Sequence, residues 1–154
     1  MVGVINICNP FNSIYAGEIQ CPSLGIDVDV FDENGNSTKI DEKGELVIKK
    51  PFPSMPVMFW NDKTEDKILN AYFRKFKNIW HHGDYIQKTK NGGYIIYGRS
   101  DATLKPGGVR IGTSEIYRQV ESFDEIQESI VIGQNYKNDV RIILFVKLSY
   151  KAKL

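Results

Sequence analysis

The chain has 154 residues, of which 42% are apolar and 25% charged, a composition typical of a globular protein with one ordinary domain or slightly more. Its formal net charge of +1 and its dispersed basic residues argue against nucleic acid as a main partner. No run of 18 apolar residues occurs and no basic segment precedes an apolar one at the start, so neither a membrane span nor a signal peptide is predicted. A cytoplasmic location and no membrane partner are therefore expected.

The first third of the chain predicts short antiparallel strands. Residues 4–7 form an apolar stretch that ends at the turn signal of residues 9–10. Residues 26–31 alternate aliphatic side chains with aspartates, which is typical of a half-buried strand. Residues 44–49 form the next strand, after turn chemistry at residues 33–36, so an antiparallel meander is predicted.

A proline-rich connector and a helix follow the meander. Three prolines within residues 50–56 forbid regular strand pairing and predict an extended connector. Residues 62–73 predict a helix, in which Asp62 and Glu65 are spaced as an acidic variant of the capping box. Its apolar side chains lie on one face, which is expected to pack on the sheet. They are Ile68, Leu69, Tyr72, Phe73 and Phe76.

A hairpin comes next, with strands at residues 85–89 and 93–97 around a turn at residues 90–93. Asp84 follows Gly83 at the mouth of this hairpin. An aspartate in such a place is ordinarily a solvated turn residue. A shielded carboxylate there is also suited to accept hydrogen bonds from the two hydroxyls of a vicinal diol.

The last part of the chain predicts one helix and a second hairpin. The helix covers residues 114–123, with apolar side chains four and seven residues after Ile116. The strands are residues 130–132 and 142–146, around a turn at residues 134–138.

The predicted fold class is α+β. An antiparallel β subdomain with a covering helix spans residues 1–100, and a small α+β domain spans residues 101–154, which is short for a self-sufficient core. The boundary is placed at Asp101.

Two cysteines, Cys8 and Cys21, are too few and too loosely spaced to predict a disulfide framework, and both are expected to be reduced. A metal site could be assembled from these thiols with His81 and His82. Adjacent histidines rarely share one ion, however, and no pair of cysteines two residues apart occurs. No metal site is predicted.

The segment of residues 98–115 combines flexible backbone with charge. Glycines and a proline alternate there with Arg99, Asp101, Lys105 and Arg110. A helix is predicted to begin at its end, with Thr113 as N-cap and Glu115 in the first turn near the positive end of the dipole. A loop of this composition can approach an anionic ligand closely, although a solvated surface loop is the simpler interpretation.

The order and spacing of the residues in this segment resemble the hinge of the adenylate-forming enzymes, the superfamily of acyl-CoA synthetases, luciferases and peptide-synthetase adenylation domains. The extended segment 99–118 is similar in particular to the acetoacetyl-CoA synthetase branch. Residues 15–20, 51–62 and 71–84 extend the resemblance, which covers residues 9–148.

The resemblance implies a ligase that activates acetoacetate or a similar small carboxylate with ATP and transfers it to CoA, with Mg²⁺ expected for the whole enzyme. It implies that Asp84 and Arg99 bind the ribose or phosphate of ATP or AMP, although Arg99 also fits a surface ion pair. It implies that Asp101 is the hinge between residues 1–100, part of a large AMP-binding domain, and a mobile C-terminal domain. Gly108 and Arg110 would line the CoA side. Lys105 is assigned no firm role, and Glu115 is interpreted first as a helix-start carboxylate.

Two parts of such an enzyme have no counterpart in the sequence. A phosphate-binding loop rich in serine, threonine and glycine, with a lysine, is one of them. The late catalytic lysine is the other, because Lys151 and Lys153 lack its usual neighbours. The chain is therefore expected to be a portion of such an enzyme, with an upstream fragment of the same enzyme as a candidate partner, and to be inactive alone. A catalytically inactive remnant or the docking half of a split enzyme is the alternative.

Overall fold

The computed structural model describes residues 6–137 and 139–150, and the chain divides into two compact units, one up to Ile96 and one from Tyr97. The fold is α+β, as predicted, and the strand pairs of known register are antiparallel. Within these described ranges, neither α-helix has the length and apolar character needed to span a membrane. The domain boundary at Asp101 stays a prediction.

The first unit is built on a four-stranded sheet in the order β3-β4-β5-β6, beside a separate ladder of β1 and β2. The strands are β1 (Asn6–Ile7), β2 (Cys21–Pro22), β3 (Val28–Phe31), β4 (Lys43–Ile48), β5 (Trp80–Lys88) and β6 (Tyr94–Arg99). The last three residues of β6 belong to the second unit. The meander and the first hairpin are confirmed, although β5 begins earlier than predicted. Part of the predicted first strand, residues 4 and 5, lies outside the described residues.

The sheet buries apolar side chains on both faces, because successive residues of a strand point to opposite sides. One face carries the main core, and β4 contributes Leu46 and Ile48 to it. The other face carries a smaller cluster of Phe31, Val47 and Phe76. The main core consists of Val28, Val30, Leu46, Ile48, Phe52, Trp80, Ile86 and Tyr94.

The helix α1 spans Asp66–Tyr72 and begins later than predicted. The predicted capping box is wrong, because Glu65 adopts a left-handed φ of 60° and caps the helix with no side-chain hydrogen bond. Asp62 caps the N-terminus of the helix in a different way. Its carboxylate accepts the backbone N–H groups of Lys67 at 3.1 Å and Ile68 at 3.0 Å, which satisfies two first-turn donors from the preceding turn.

One face of α1 and the residues after it pack on the main core, as predicted. Ile68 is buried, and the ring of Tyr72 stacks on Trp80 with centroids 3.7 Å apart. Phe73 meets the same indole edge-on at 5.7 Å. Leu69, predicted to share this face, is exposed. Trp80 is therefore the centre of the aromatic packing that holds the helix on the sheet.

The described residues of the second unit form two 3-10 turns, one α-helix and a hairpin. They are the turns Ser100–Ala102 and Pro106–Gly108, the helix α2 (Thr113–Val120), β7 (Ile126–Tyr136) and β8 (Asp139–Leu148). The prediction of Thr113 as N-cap is wrong, since Gly112 holds that position and donates its N–H to Oε1 of Glu115 at 3.0 Å. A side chain at Gly112 would lie 2.5 Å from the carbonyl oxygen of Tyr97, so glycine is required there.

The second hairpin is longer than predicted, and its turn is shorter than the predicted residues 134–138, because Gln134 and Tyr136 belong to β7 and Lys137 lies in the turn. Arg141 of β8 holds this end of the ladder together. It donates to Oε1 of Gln134 at 2.7 Å and lies over the ring of Tyr136 at 4.7 Å. Position 138 of the predicted turn lies outside the described residues. The helix α2 ends three residues before the predicted Phe123, whose side chain is exposed.

Candidate functional site

Asp84 lies inside β5 and not at the mouth of a hairpin, which corrects the sequence-based placement. The pairing of β5 with β4 shifts register between His81 and Tyr85, so the strand bulges there. Gly83 has a φ of 85° within this bulge, a left-handed conformation that glycine adopts without steric cost. Asp84 is therefore presented by a distorted strand, which is a more fixed position than a solvated turn.

His82 connects Asp84 to the core. The indole Nε1–H of Trp80 donates to Nδ1 of His82 at 3.2 Å, so a neutral His82 carries its proton on Nε2. That Nε2 lies 3.5 Å from Oδ2 of Asp84, and both side chains are about one fifth exposed, at 21% and 20%. An ionised carboxylate has about four lone-pair sites, so this contact is compatible with accepting hydroxyl groups of a ligand.

Arg99 ends β6 and Asp101 sits in the 3-10 turn that follows it. Nε of Arg99 lies 3.7 Å from Oδ1 of Asp101, and both side chains are largely exposed. Such an exposed pair contributes little to stability and exchanges partners easily. The surface ion pair considered from the sequence is thus present. Asp84 belongs to the first unit and Arg99 to the second, and their convergence on one ribose stays a prediction.

Arg110 closes the turn that carries Asp101. Its Nε donates to Oγ1 of Thr103 at 2.8 Å, and its Nη2 donates to the carbonyl oxygen of Ser100 at 2.9 Å. The Thr103 hydroxyl donates to the same Ser100 carbonyl at 2.8 Å. The planar guanidinium fork suits this double contact. Sequence reasoning missed the contact, since it considered only a ligand as the partner of Arg110.

The glycine-rich loop predicted on the CoA side is closed by a short antiparallel bridge between Leu104 and Ile111. Gly107 and Gly108 have φ values of 56° and 81°, a conformation that side chains rarely adopt. A Cβ built on Gly108 meets no atom within 4 Å. The backbone conformation therefore explains the glycine, and the open space beside it is compatible with a ligand passing close by.

Asp139, the first residue of β8, anchors this loop to the hairpin. Its carboxylate accepts the N–H of Gly107, with Oδ1 at 2.9 Å, and the N–H of Val140 at 2.7 Å. These backbone hydrogen bonds, Val140 first, hold the pKa of Asp139 below its ordinary value. Lys105 and Lys137 line the same shallow concavity. Asp139 was not predicted, because only the folded hairpin brings it to the loop.

The sequence did not lead us to predict one buried carboxylate, that of Glu45. Glu45 of β4 is 1% exposed, and both of its oxygens have partners: Nζ of Lys75 at 2.5 Å and Nε2 of His81 at 3.0 Å. The signal was present in the strand pattern, since Glu45 is two residues from Val47 and so shares its buried face.

The part of the chain that the structure describes contains no group of three or more His, Cys, Asp or Glu residues placed to hold a metal ion. Cys8 and Cys21 are both free thiols, the first exposed and the second partly buried. His81 and His82 have the partners described above.

No protein-family model matches the chain. The acetoacetyl-coenzyme A synthetase of Rhizobium meliloti (strain 1021) is 54% identical to it over 146 residues, which is 95% of this chain and 22% of that relative. Among solved structures, acetoacetyl-CoA synthetase from Streptomyces lividans matches with a TM-score of 0.81 at 43% identity, covering 92% of this chain and 21% of that one. The chain is homologous to the acetoacetyl-CoA synthetases. The resemblance to the acetoacetyl-CoA synthetases that the sequence predicted is thereby confirmed.

A more distant match extends the likeness beyond the acetoacetyl-CoA synthetases. A benzoate CoA ligase from Burkholderia xenovorans LB400 matches with a TM-score of 0.70 at 26% identity, covering 92% of this chain and 27% of that one. The chain spans about a fifth of the length of the curated acetoacetyl-CoA synthetases it matches. The roles of Asp84, Arg99, Asp101, Gly108 and Arg110 stay predictions.

Proposed function

We propose that this chain supplies the nucleotide-contacting and hinge portion of an acid–thiol ligase acting on acetoacetate. The observation that carries the proposal is the 54% identity to an acetoacetyl-CoA synthetase over 95% of the chain. In the proposed reaction, acetoacetate and ATP give acetoacetyl-adenylate and pyrophosphate, and the CoA thiolate then displaces AMP to give acetoacetyl-CoA. The reaction would take place in the cytoplasm, with Mg²⁺ accompanying ATP.

In this proposal Asp84 and Arg99 bind the nucleotide. The Asp84 carboxylate accepts hydrogen bonds from the two ribose hydroxyls, each contributing about 1.5 to 3 kcal/mol when the acceptor is charged and shielded. Its position on a bulge, in contact with a histidine that the buried Trp80 orients, supports such a fixed role. Arg99 leaves its exposed contact with Asp101 and contacts the ribose or phosphate, at little cost, since that ion pair is solvated.

The second unit would supply the hinge and the CoA side. A hinge needs a few positions that absorb backbone rotation. Asp101 is suited to this because it lies in a one-turn 3-10 segment and its side chain is exposed. Gly108 gives the ligand an approach to the backbone without a side chain in the way. Arg110 braces the hinge turn in the present arrangement and becomes available to CoA or phosphate when the turn rearranges.

A second candidate function is that of a docking half or an inactive remnant. The observation that favours it is a run of apolar side chains open to solvent after the proline-rich connector, with Val57, Met58 and Trp60 exposed by 86%, 67% and 96%. Surfaces of this kind mark interaction sites. Co-purification with the upstream portion of the same enzyme would support docking, and a monomer that binds no AMP would support the remnant.

A chimera tests the proposed function. Replacing the homologous segment of the Rhizobium meliloti relative with this chain should preserve pyrophosphate release that depends on acetoacetate, because the chain carries the nucleotide contacts. Asp84→Ala in the chimera should lower the rate at least about tenfold through the lost ribose contacts. A folded chimera that releases no pyrophosphate, or one that is unaffected by Asp84→Ala, would contradict the proposal.

A further inference from the structure

Glu45 is the most deeply buried carboxylate among the described residues, and its environment is unusual for a core position. The aromatic ring of Phe76 lies beside both of its partners, with Lys75 Nζ 5.5 Å from the ring centroid and the His81 ring edge-on at 5.9 Å. Taking a carboxylate out of water costs several kcal/mol, which its partners must offset. A buried ion pair of this kind is weak evidence for a stabilising role, because apolar replacements of similar volume are often as stable.

The contacts of Glu45 coincide with the two ends of the β5 bulge. Through its backbone, Glu45 pairs with Tyr85, which follows the bulge. Through its carboxylate, it binds His81, which precedes the bulge and pairs with Val47. One residue of β4, Leu46, therefore faces three residues of β5, numbers 82 to 84.

We propose that Glu45 is a positioning residue. By binding His81 before the bulge while pairing with Tyr85 after it, Glu45 fixes the distance between the two ends of the bulge and therefore the position of Asp84. Without the carboxylate, the imidazole of His81 loses its hydrogen bond to β4, and the three bulged residues can relax toward regular pairing or a different turn. Gly83 lies between His81 and Tyr85, the two residues of β5 that Glu45 contacts. Gly83 has a left-handed φ, and because glycine adopts many backbone conformations, the strand can rearrange most easily there. The consequence for ligand binding rests on the proposed function, in which Asp84 binds ribose.

The contact geometry also fixes the tautomer of His81. An ionised carboxylate only accepts hydrogen bonds, so Nε2 of His81 carries the proton that it donates to Oε2 of Glu45. Lys75 supplies the positive charge on the other oxygen and touches no residue of the bulge through this contact. Lys75 is therefore a matched control, since it stabilises the same carboxylate without connecting it to β5.

The experiment compares three variants of the ¹⁵N-labelled 154-residue chain by NMR. Glu45→Leu should fold, since an apolar side chain of similar size suits a buried site. It should shift the amide signals of Gly83 and Asp84 and weaken AMP binding about tenfold, the effect of losing one charged hydrogen bond. Lys75→Met should lower the denaturation midpoint yet leave those amide signals and the AMP affinity as in the wild type. A purely stabilising role predicts unchanged amide signals in Glu45→Leu, and that result would overturn the inference.

Glu45→Gln keeps the proposal testable if Glu45→Leu fails to fold. The glutamine oxygen should face Lys75 and its amide N–H should face His81, which must then accept at Nε2 and carry its proton on Nδ1. The imidazole ¹⁵N shifts should report this exchange of tautomer together with a shift at Gly83. Retention of the Nε2–H tautomer would show that Glu45 does not hold His81. Failure of the wild-type chain to bind AMP would count against the nucleotide role of Asp84. The amide and imidazole signals test the role of Glu45 separately, because they are measured without any ligand.

Discussion

The two histidines that precede Asp84 in β5 derive their side-chain positions from buried partners. His82 is oriented by the buried indole of Trp80, and His81 is held by the carboxylate of Glu45. Each contact fixes which ring nitrogen carries the proton in the neutral imidazole. An aspartate that contacts one of these histidines from within a strand bulge is positioned more firmly than an aspartate in a surface turn.

At the same scale, Arg110→Lys tests the brace on the hinge turn. A lysine ammonium cannot reproduce the planar fork that contacts Thr103 and Ser100 together. We expect faster amide hydrogen exchange for the Ser100–Ala102 turn, measured by NMR or mass spectrometry, with little change elsewhere. Arg118→Lys on the exposed side of α2 is the control. Equal exchange in both variants would show that Arg110 does not restrain the turn.

The residue-level predictions from the sequence were limited by contacts that only the fold creates. The spacing of Gly83-Asp84 and Gly98-Arg99 was enough to single out candidate ligand contacts. The spacing could not show that Glu45 would meet His81, because the two residues lie far apart in the sequence and in different strands. The partners of Arg110 were hidden for another reason, since a guanidinium fits backbone carbonyls and phosphates equally well.

Among the elements, the contribution of Asp62 to the stability of α1 can be measured directly. Asp62→Ala removes the acceptor for two backbone N–H groups and should lower the free energy of unfolding by about 1 kcal/mol, the usual cost of losing a cap. Urea denaturation followed by tryptophan fluorescence would measure it, because Trp80 packs against this helix. Asp66→Ala, at an exposed position in the same turn, should cost clearly less. Equal costs would contradict the capping role of Asp62.

The loop at Gly107 should respond to acid through Asp139. The folded-state pKa of Asp139 is lowered, first by the hydrogen bond from Val140 and then by that from Gly107, so its contribution is complete above about pH 4 and is lost as the pH falls through the folded pKa. The Gly107 amide shift, followed from about pH 5 to about pH 2, should report this loss. Asp139→Asn keeps an acceptor oxygen but does not titrate, so its curve should be flat. A wild-type transition that persists in Asp139→Asn would assign the titration to another group.

Strand prediction succeeded where the alternation of side chains was simple and failed where the strands were distorted. In β3 the buried Val28 and Val30 alternate with the partly buried Asp29, as the sequence pattern predicts. The strand β4 was also predicted, although its buried positions run together. The start of β5 was missed because two histidines and a glycine do not alternate, and the bulge hides the period. The end of β7 was missed because glutamine and asparagine resemble a turn, yet Arg141 pairs with Gln134 and continues the ladder.

For the whole molecule, the homology covers nearly all of this chain but only part of each relative. The chain matches acetoacetyl-CoA synthetases along nearly all of its length while spanning about a fifth of theirs. The phosphate-binding loop expected for ATP activation has no counterpart in the sequence. We therefore expect the 154-residue chain alone to release no pyrophosphate from ATP in the presence of acetoacetate. A coupled pyrophosphate assay, with the chimera as positive control, would detect acetoacetate-dependent release abolished by Asp84→Ala, which would contradict this expectation.

The proposal that Asp84 and Arg99 bind the same sugar can be tested by titrating the ¹⁵N-labelled chain with AMP. The Gly83 and Asp84 amides and Nε of Arg99 should shift with one common dissociation constant. Binding should weaken about tenfold in Asp84→Asn and with 2′,3′-dideoxy-AMP, which lacks the diol. Asp41→Asn, an exposed carboxylate that accepts from Gln87, should change nothing. Shifts at Asp84 and Arg99 with different dissociation constants, or equal affinity for AMP and its dideoxy analogue, would contradict the claim.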